Sequence, residues 1–220
     1  MKPPTKKILL WFLDLGINIV IIFGLVLIIQ KWLIAPFDVS GASMCNTLNF
    51  LDDQCVSGYG EKIIINEAGY IFSEPKRGDI VVFKAENSDD KYFIKRIIGL
   101  PGEIVEIKDG FVFVNGEQLK EPYLNEENKG KTNAFFSNLS VFEVPVESYF
   151  MLGDNRKSST DSRSCFQSAI SISCKENKHL SFIPKDKIRG KAWIVWWPLS
   201  SIRLIDHPSY IINSESLEEK

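Results

Sequence analysis

The sequence predicts a mainly β protein: an N-terminal transmembrane helix followed by a mostly antiparallel β domain. Three observations carry that reading. A dense apolar block occupies Ile8 to Ile34, short strand-like runs separated by turn residues fill most of the remaining chain, and no long helical periodicity appears after the block. The 220 residues suit an anchor plus one moderate domain with its own core. We divide the chain into 1–35, a basic cytoplasmic tail and anchor; 36–210, one extracytoplasmic domain; and 211–220, a polar tail.

Lys2, Lys6 and Lys7 precede the apolar block, which only Asp14, Asn18, Gln30 and Lys31 interrupt. Its length suffices to cross a bilayer, which takes about 20 residues. A cleaved signal peptide is the rival reading. The block exceeds the usual apolar core of such peptides, about 7 to 15 residues, and no good A-x-A site follows it. An uncleaved single-pass anchor is therefore expected in the cytoplasmic membrane. The lysines keep its N-terminus in the cytoplasm and place the rest outside. The lipid bilayer is thus one expected partner.

Beyond the anchor, Gly78 to Phe83 reads as a turn into a buried strand, and Tyr92 to Ile98 as a second. Glu103 to Lys108 and Phe111 to Val114 form a hairpin across Asp109-Gly110, and Asn115-Gly116 marks another tight turn. Residues 120–138 read as a polar surface loop. Val141 to Val144, Tyr149 to Leu152 and Ile188 to Trp197 supply further strands. A formal net charge of −2 gives no basic surface for nucleic acid. The four cysteines fall as two close pairs, Cys45 with Cys55 and Cys165 with Cys174, without zinc-site spacing. They read either as disulfides, in an oxidising compartment, or as small apolar fillers.

Two residues carry candidate chemistry. Ser43 lies in Val39-Ser40-Gly41-Ala42-Ser43-Met44, a small-residue stretch just where the chain leaves the membrane. A serine nucleophile needs a base. The two histidines, His179 and His207, sit near the C-terminus in no recognisable triad setting. Lys95 is the better candidate. In a strand it shares a face with Phe93 and Ile97, and burial there favours the neutral amine, which can accept a proton. A third constellation, Gly153 to Arg163, packs hydroxyls, acids and arginines into one loop. Alone it reads as a solvated connection, and it gains meaning only if it folds beside Ser43 and Lys95.

Together these stretches resemble the bacterial type I signal peptidases, membrane-bound Ser-Lys endopeptidases that remove signal peptides from exported proteins. The resemblance rests on Phe37 to Leu48, Gly78 to Phe83, Tyr92 to Glu103, Asp109 to Leu119 and Gly153 to Arg163, in the family's order. It implies a β catalytic domain of the signal-peptidase type, with an apolar surface against the membrane. It implies Ser43 as nucleophile and Lys95 as general base, with the Ser43 backbone N–H serving the oxyanion. Ser159 falls where the family orients the lysine amine through a hydroxyl. Asp161 and Arg163 match a supporting pair, and Asp154 matches the acid that pairs with Arg96. Implied partners are preprotein signal peptides, cut after small residues at −1 and −3, and the translocation machinery that delivers them. Neither metal nor organic cofactor is implied. Gly41 stands where some members have a serine that donates to the oxyanion, and Asn46 replaces the usual proline, which implies a looser turn after the nucleophile. Against this stand a self-cleaving repressor peptidase, which would need a DNA-binding module, and a non-enzymatic tethered β domain, which would not need Ser43, Lys95 and Ser159 in ordered boxes.

Overall fold

The computed structural model describes residues 5–32, 34–85, 91–135, 140–167, 177–208 and 210. Helix α1 (Thr5–Trp32) is 28 residues long, about 42 Å at 1.5 Å per residue. Its stretch Lys7–Leu27 is long and apolar enough to cross a membrane, and its large apolar side chains are exposed on all sides. A helix that is apolar all round and unburied by protein suits lipid as its solvent. The chain passes almost directly from this helix into a strand.

In chain order the strands are β1 (Ile34–Ser40), β2 (Phe50–Leu51), β3 (Gln54–Cys55), β4 (Tyr59–Asn66), β5 (Ile80–Lys84) and β6 (Tyr92–Gly99). They continue with β7 (Ile104–Lys108), β8 (Phe111–Val114), β9 (Glu117–Gln118), β10 (Val141–Glu143), β11 (Ser148–Leu152), β12 (Ile183–Pro184), β13 (Ile188–Trp197) and β14 (Arg203–Leu204). After the anchor, the one α-helix among the described residues is the single turn α2 (Gly69–Phe72). The architecture is mainly antiparallel β, as the sequence predicts.

The main sheet runs β1-β4-β13-β5-β6-β11-β12, with β14 on β13. A second sheet runs β10-β7-β8-β9, and β2 pairs with β3. Ile63, Ile65, Ile80, Val82, Ala192 and Val195 pack one core beneath β1. Val81, Phe83, Ile97 and Met151 pack another on the opposite face. Strand β6 is buried on both faces, and the alternation read from the sequence holds: Ile97 joins one core while Ile94 packs on the other.

Several elements differ from the sequence reading, which names seven of the fourteen described strands. Strands β1 and β4 were not anticipated. Ile34 begins β1 rather than ending the anchor, and Ala35 and Val39 are buried at alternate positions. The period-2 signal was hidden because it abuts the apolar run of the anchor. The loop after Leu119 is not simply a surface connection: Leu124, Asn128 and Thr132 are buried. Residues 136–138 of that loop lie outside the described residues, as do Cys174 and the tail after Tyr210.

The pairing leaves one gap that matters. Strand β11 pairs with β6 only at Arg96, Ile97 and Gly99, so the outer edge of Tyr92–Lys95 has no strand partner among the described residues. Edge strand β1 pairs, among the described residues, only with β4. The sheet coils enough to set the Phe37 ring 5.3 Å from that of Tyr92. Between these edges lies a cleft of about 780 Å³, lined by Phe37, Val39, Ser43, Tyr92, Ile94 and Lys95 among others.

Candidate active site

The nucleophile candidate sits in a turn held at both ends. Gly41 adopts φ +86°, and its N–H bonds to the Gly58 carbonyl at 3.1 Å. The Cys45 N–H closes on the Ala42 carbonyl at 3.0 Å, and buried Met44 and Leu48 root the turn in the core. Asn46 has φ 76°, which proline cannot adopt. A disulfide between Cys45 and Cys55 ties the turn to the β2–β3 hairpin. The Cys165–Cys174 pairing involves a residue outside the described ones.

Ser43 Oγ faces Lys95 Nζ at 2.6 Å, and that amine also donates to the Ile94 carbonyl at 2.8 Å. Lys95 is 2% exposed, and burial pushes its pKa down to about 8, although Asp161 and Asp154 act in the opposite sense. Strand β5 fixes it from behind, where Val81 is its partner in register. A buried amine that titrates this low is available as a base near neutrality.

Arg96, the next residue, points to the other face. Its Nε and Nη2 bond both oxygens of Asp154 at 2.9 and 2.7 Å, and its guanidinium lies 3.9 Å from the Tyr123 ring centroid. Asp154 Oδ2 also accepts from Thr47 Oγ1 at 2.5 Å, which joins this strand to the Ser43 turn. Asp161 and Arg163 form a second bidentate pair, both bonds 2.8 Å, and Asp161 accepts from the Gly153 N–H at 3.1 Å. Burial alone would raise the Asp161 pKa, but the Arg163 guanidinium overrules it and holds the acid below the ordinary carboxylate value.

The structure thus brings the loop from Gly153 to Arg163 directly behind Ser43 and Lys95, and most of it is buried. Gly153 is needed there because a Cβ would collide with Ser159 Oγ and with the Ser43 carbonyl oxygen. Ser159 is itself buried; its Oγ falls short of full hydrogen-bond geometry with Lys95, but its hydroxyl acts on Asp161 and helps to hold that acid's pKa down.

Several supporting residues escaped the sequence reading. Arg156 is buried against Glu121 and Thr132, the latter at 2.6 Å, and it ties the loop after Leu119 to the loop behind the site. Asn49, at φ 58°, donates to the carbonyls of Val39 and Gly41 at 3.1 and 3.0 Å, and so fixes the end of β1. Glu61 bonds Asn49 twice, at 2.7 and 2.9 Å, and pairs with Arg203. Nothing local in the sequence marks these contacts, since each joins segments distant along the chain. His207 bonds the Ala192 carbonyl at 2.9 Å, and exposed His179 lies in a short turn capped by the Asn177 side chain, which accepts from the His179 N–H; neither bonds Ser43. Among the described residues no three His, Cys, Asp or Glu side chains gather as a metal site.

The family model described as "Signal peptidase, peptidase S26" matches residues 12–197. The chain belongs to the signal peptidase S26 family. Its members are serine endopeptidases, and the match spans the anchor, the cleft and the loop behind it. Signal peptidase I T of Bacillus subtilis (strain 168) is 35% identical over 202 residues, covering 90% of this chain and 92% of that one. Signal peptidase IB of Staphylococcus aureus (strain COL) is 32% identical over 209 residues, covering 90% and 94%. The crystal structure of a signal peptidase I from Enterococcus faecalis V583 aligns at 30% identity with a TM-score of 0.39, covering 54% of this chain and 97% of that one.

Proposed function

We propose that this chain is a single-pass membrane endopeptidase that cleaves signal peptides from exported preproteins through a Ser43–Lys95 dyad. The observation that carries the proposal is the 2.6 Å contact between Ser43 Oγ and the buried Lys95 Nζ. Ser43 Oγ attacks the scissile carbonyl carbon as neutral Lys95 takes its proton. The Ser43 N–H stabilises the oxyanion. Collapse breaks the C–N bond, and the Lys95 ammonium returns the proton to the departing amine. Lys95 then deprotonates a water that hydrolyses the Ser43 ester.

The substrate lies as an added strand between the free edges of β1 and Tyr92–Lys95. Alternate side chains then face an apolar floor that includes Val39 and Ile63, which favours small residues at −1 and −3. The exposed Trp193, Trp196, Trp197, Leu199, Ile202 and Leu204 form an apolar rim suited to the bilayer surface. With the lysine-bearing N-terminus in the cytoplasm, the site works on the outer face, where the translocation machinery releases its substrates. Asp154, Asp161, Arg96, Arg163 and Ser159 support the site rather than react.

The test is processing, in detergent, of a preprotein with an Ala-x-Ala cleavage site by the wild type, Ser43→Ala and Lys95→Ala. Cleavage by the wild type alone is expected, and cleavage by either variant at a comparable rate overturns the dyad. The pH profile checks the base separately. Since only the neutral amine works, kcat/KM is expected to climb as pH rises toward about 8 and to level off above it. A flat profile from mildly acidic to alkaline pH excludes Lys95 as base.

A further inference from the structure

The peptide group between Ala42 and Ser43 has two ends. Its N–H, on Ser43, has no acceptor among the described residues and is the oxyanion donor of the proposed reaction, on which this inference rests. Its carbonyl, on Ala42, takes two hydrogen bonds: one from the Cys45 N–H inside the turn at 3.0 Å, the other from Asn155 Nδ2 at 3.0 Å. The carbonyl only accepts, so the Asn155 amide must present its NH₂ there. The Asn155 backbone N–H also donates to the Ser43 carbonyl, at 3.0 Å. One residue of the loop behind the site therefore grips both peptide groups that flank the nucleophile.

We infer that Asn155 is a positioning residue for oxyanion stabilisation: its side chain fixes the plane of the Ala42–Ser43 peptide and polarises the Ser43 N–H. A peptide carbonyl that accepts a hydrogen bond strengthens its own N–H as a donor, because the amide dipole is enlarged. A fixed peptide plane also spares the donor from reorienting as charge develops on the substrate oxygen. Gly41 supplies no hydroxyl to share that work, so the demand on this one N–H is greater here. Thr47 is the internal comparison. It ties the same turn to the same loop through Asp154 but does not touch the Ala42–Ser43 peptide.

The experiment compares Asn155→Ala, Asn155→Asp and Thr47→Val with the wild type. It measures kcat, KM, thermal midpoint and affinity for a signal-peptide boronate, whose boron takes Ser43 Oγ and places a hydroxyl at the oxyanion position. Asn155→Ala is expected to lower kcat about 10- to 100-fold, less than the 10²–10³ lost when an oxyanion donor itself is removed. KM stays within about threefold, and boronate affinity falls in step with kcat. Asn155→Asp keeps size and backbone bond but has no NH₂, and is expected to behave likewise even if the alanine variant folds poorly. Thr47→Val is expected to lower the thermal midpoint without that split. The inference is overturned if the Asn155 variants leave kcat and boronate affinity within threefold of wild type. It is equally overturned if they lower both no more than Thr47→Val does at a matched loss of stability. Ser43→Ala, run alongside, separates the two levels: if it still cleaves, the dyad reading fails; if it is inactive while the Asn155 variants are normal, only the role of Asn155 fails.

Discussion

Lys95 and Arg96 are neighbours on one strand, both almost wholly buried, yet they face regions built on opposite principles. Behind the cleft, Arg96, Arg156 and Arg163 each meet a carboxylate: Asp154, Glu121 and Asp161. On the cleft side, Lys95 bonds only a hydroxyl and a carbonyl among the described residues, and burial pushes its pKa down to about 8. The supporting region keeps its charges by pairing them. The reactive region withholds the partner so that its cation can give up its proton. Burial alone therefore does not make a base; burial without a carboxylate does.

Removing a partner from the paired region has the largest expected effect on stability. Asp154→Ala leaves Arg96 buried and uncompensated, and chemical denaturation is expected to show a loss of about 3–5 kcal/mol. Replacing both residues with apolar ones, Arg96→Met with Asp154→Leu, is expected to recover most of it, because the cost lies in the stranded charge. If the single and double variants are equally unstable, packing rather than charge dominates there.

The unpaired region should respond with the opposite sign. The Lys95 pKa is depressed, so the unfolded chain binds more protons than the folded one between pH 8 and the ordinary lysine value. Stability contributed by this group rises with pH across that window and is at its minimum below it. Lys95→Met is thus expected to abolish activity yet stabilise the fold, by roughly 3 kcal/mol at pH 7 and less toward pH 10. A stability loss at pH 7 in this variant would mean that the amine is not desolvated at a cost.

The smallest effect belongs to a pair that neither region buries. Asp38 and Lys62 meet at 2.7 Å with side chains 52% and 39% exposed. Asp38→Asn is expected to change stability by under about 1 kcal/mol, and less at high salt, since water screens the pair. A loss as large as that of Asp154→Ala would show that pairing, not burial, sets the cost.

Much of this site was legible in the sequence because its signals are local. The apolar length of the anchor, the alternation across Phe93 to Ile98, and the turn residues around Asp109-Gly110 follow from covalent geometry and side-chain period alone. The residue types Ser43, Lys95, Asp154, Asp161 and Arg163 in ordered boxes identified the family. Strand β1 was missed because its period-2 pattern merges with the anchor. Whether Cys45 and Cys55 are joined was left open because that tie depends on where a hairpin folds.

By itself, then, the sequence determined the anchor, half of the described strands and the candidates for chemistry. The tertiary structure decided which of them meet. Nothing along the chain says that Asn155 reaches Ala42, that Glu121 closes on Arg156, or that Asn49 and Glu61 exchange hydrogen bonds beneath β1. Each contact joins segments brought together only when the sheet coils and its cores pack. The depressed pKa of Lys95 has the same origin, since desolvation belongs to the folded surroundings rather than to the lysine.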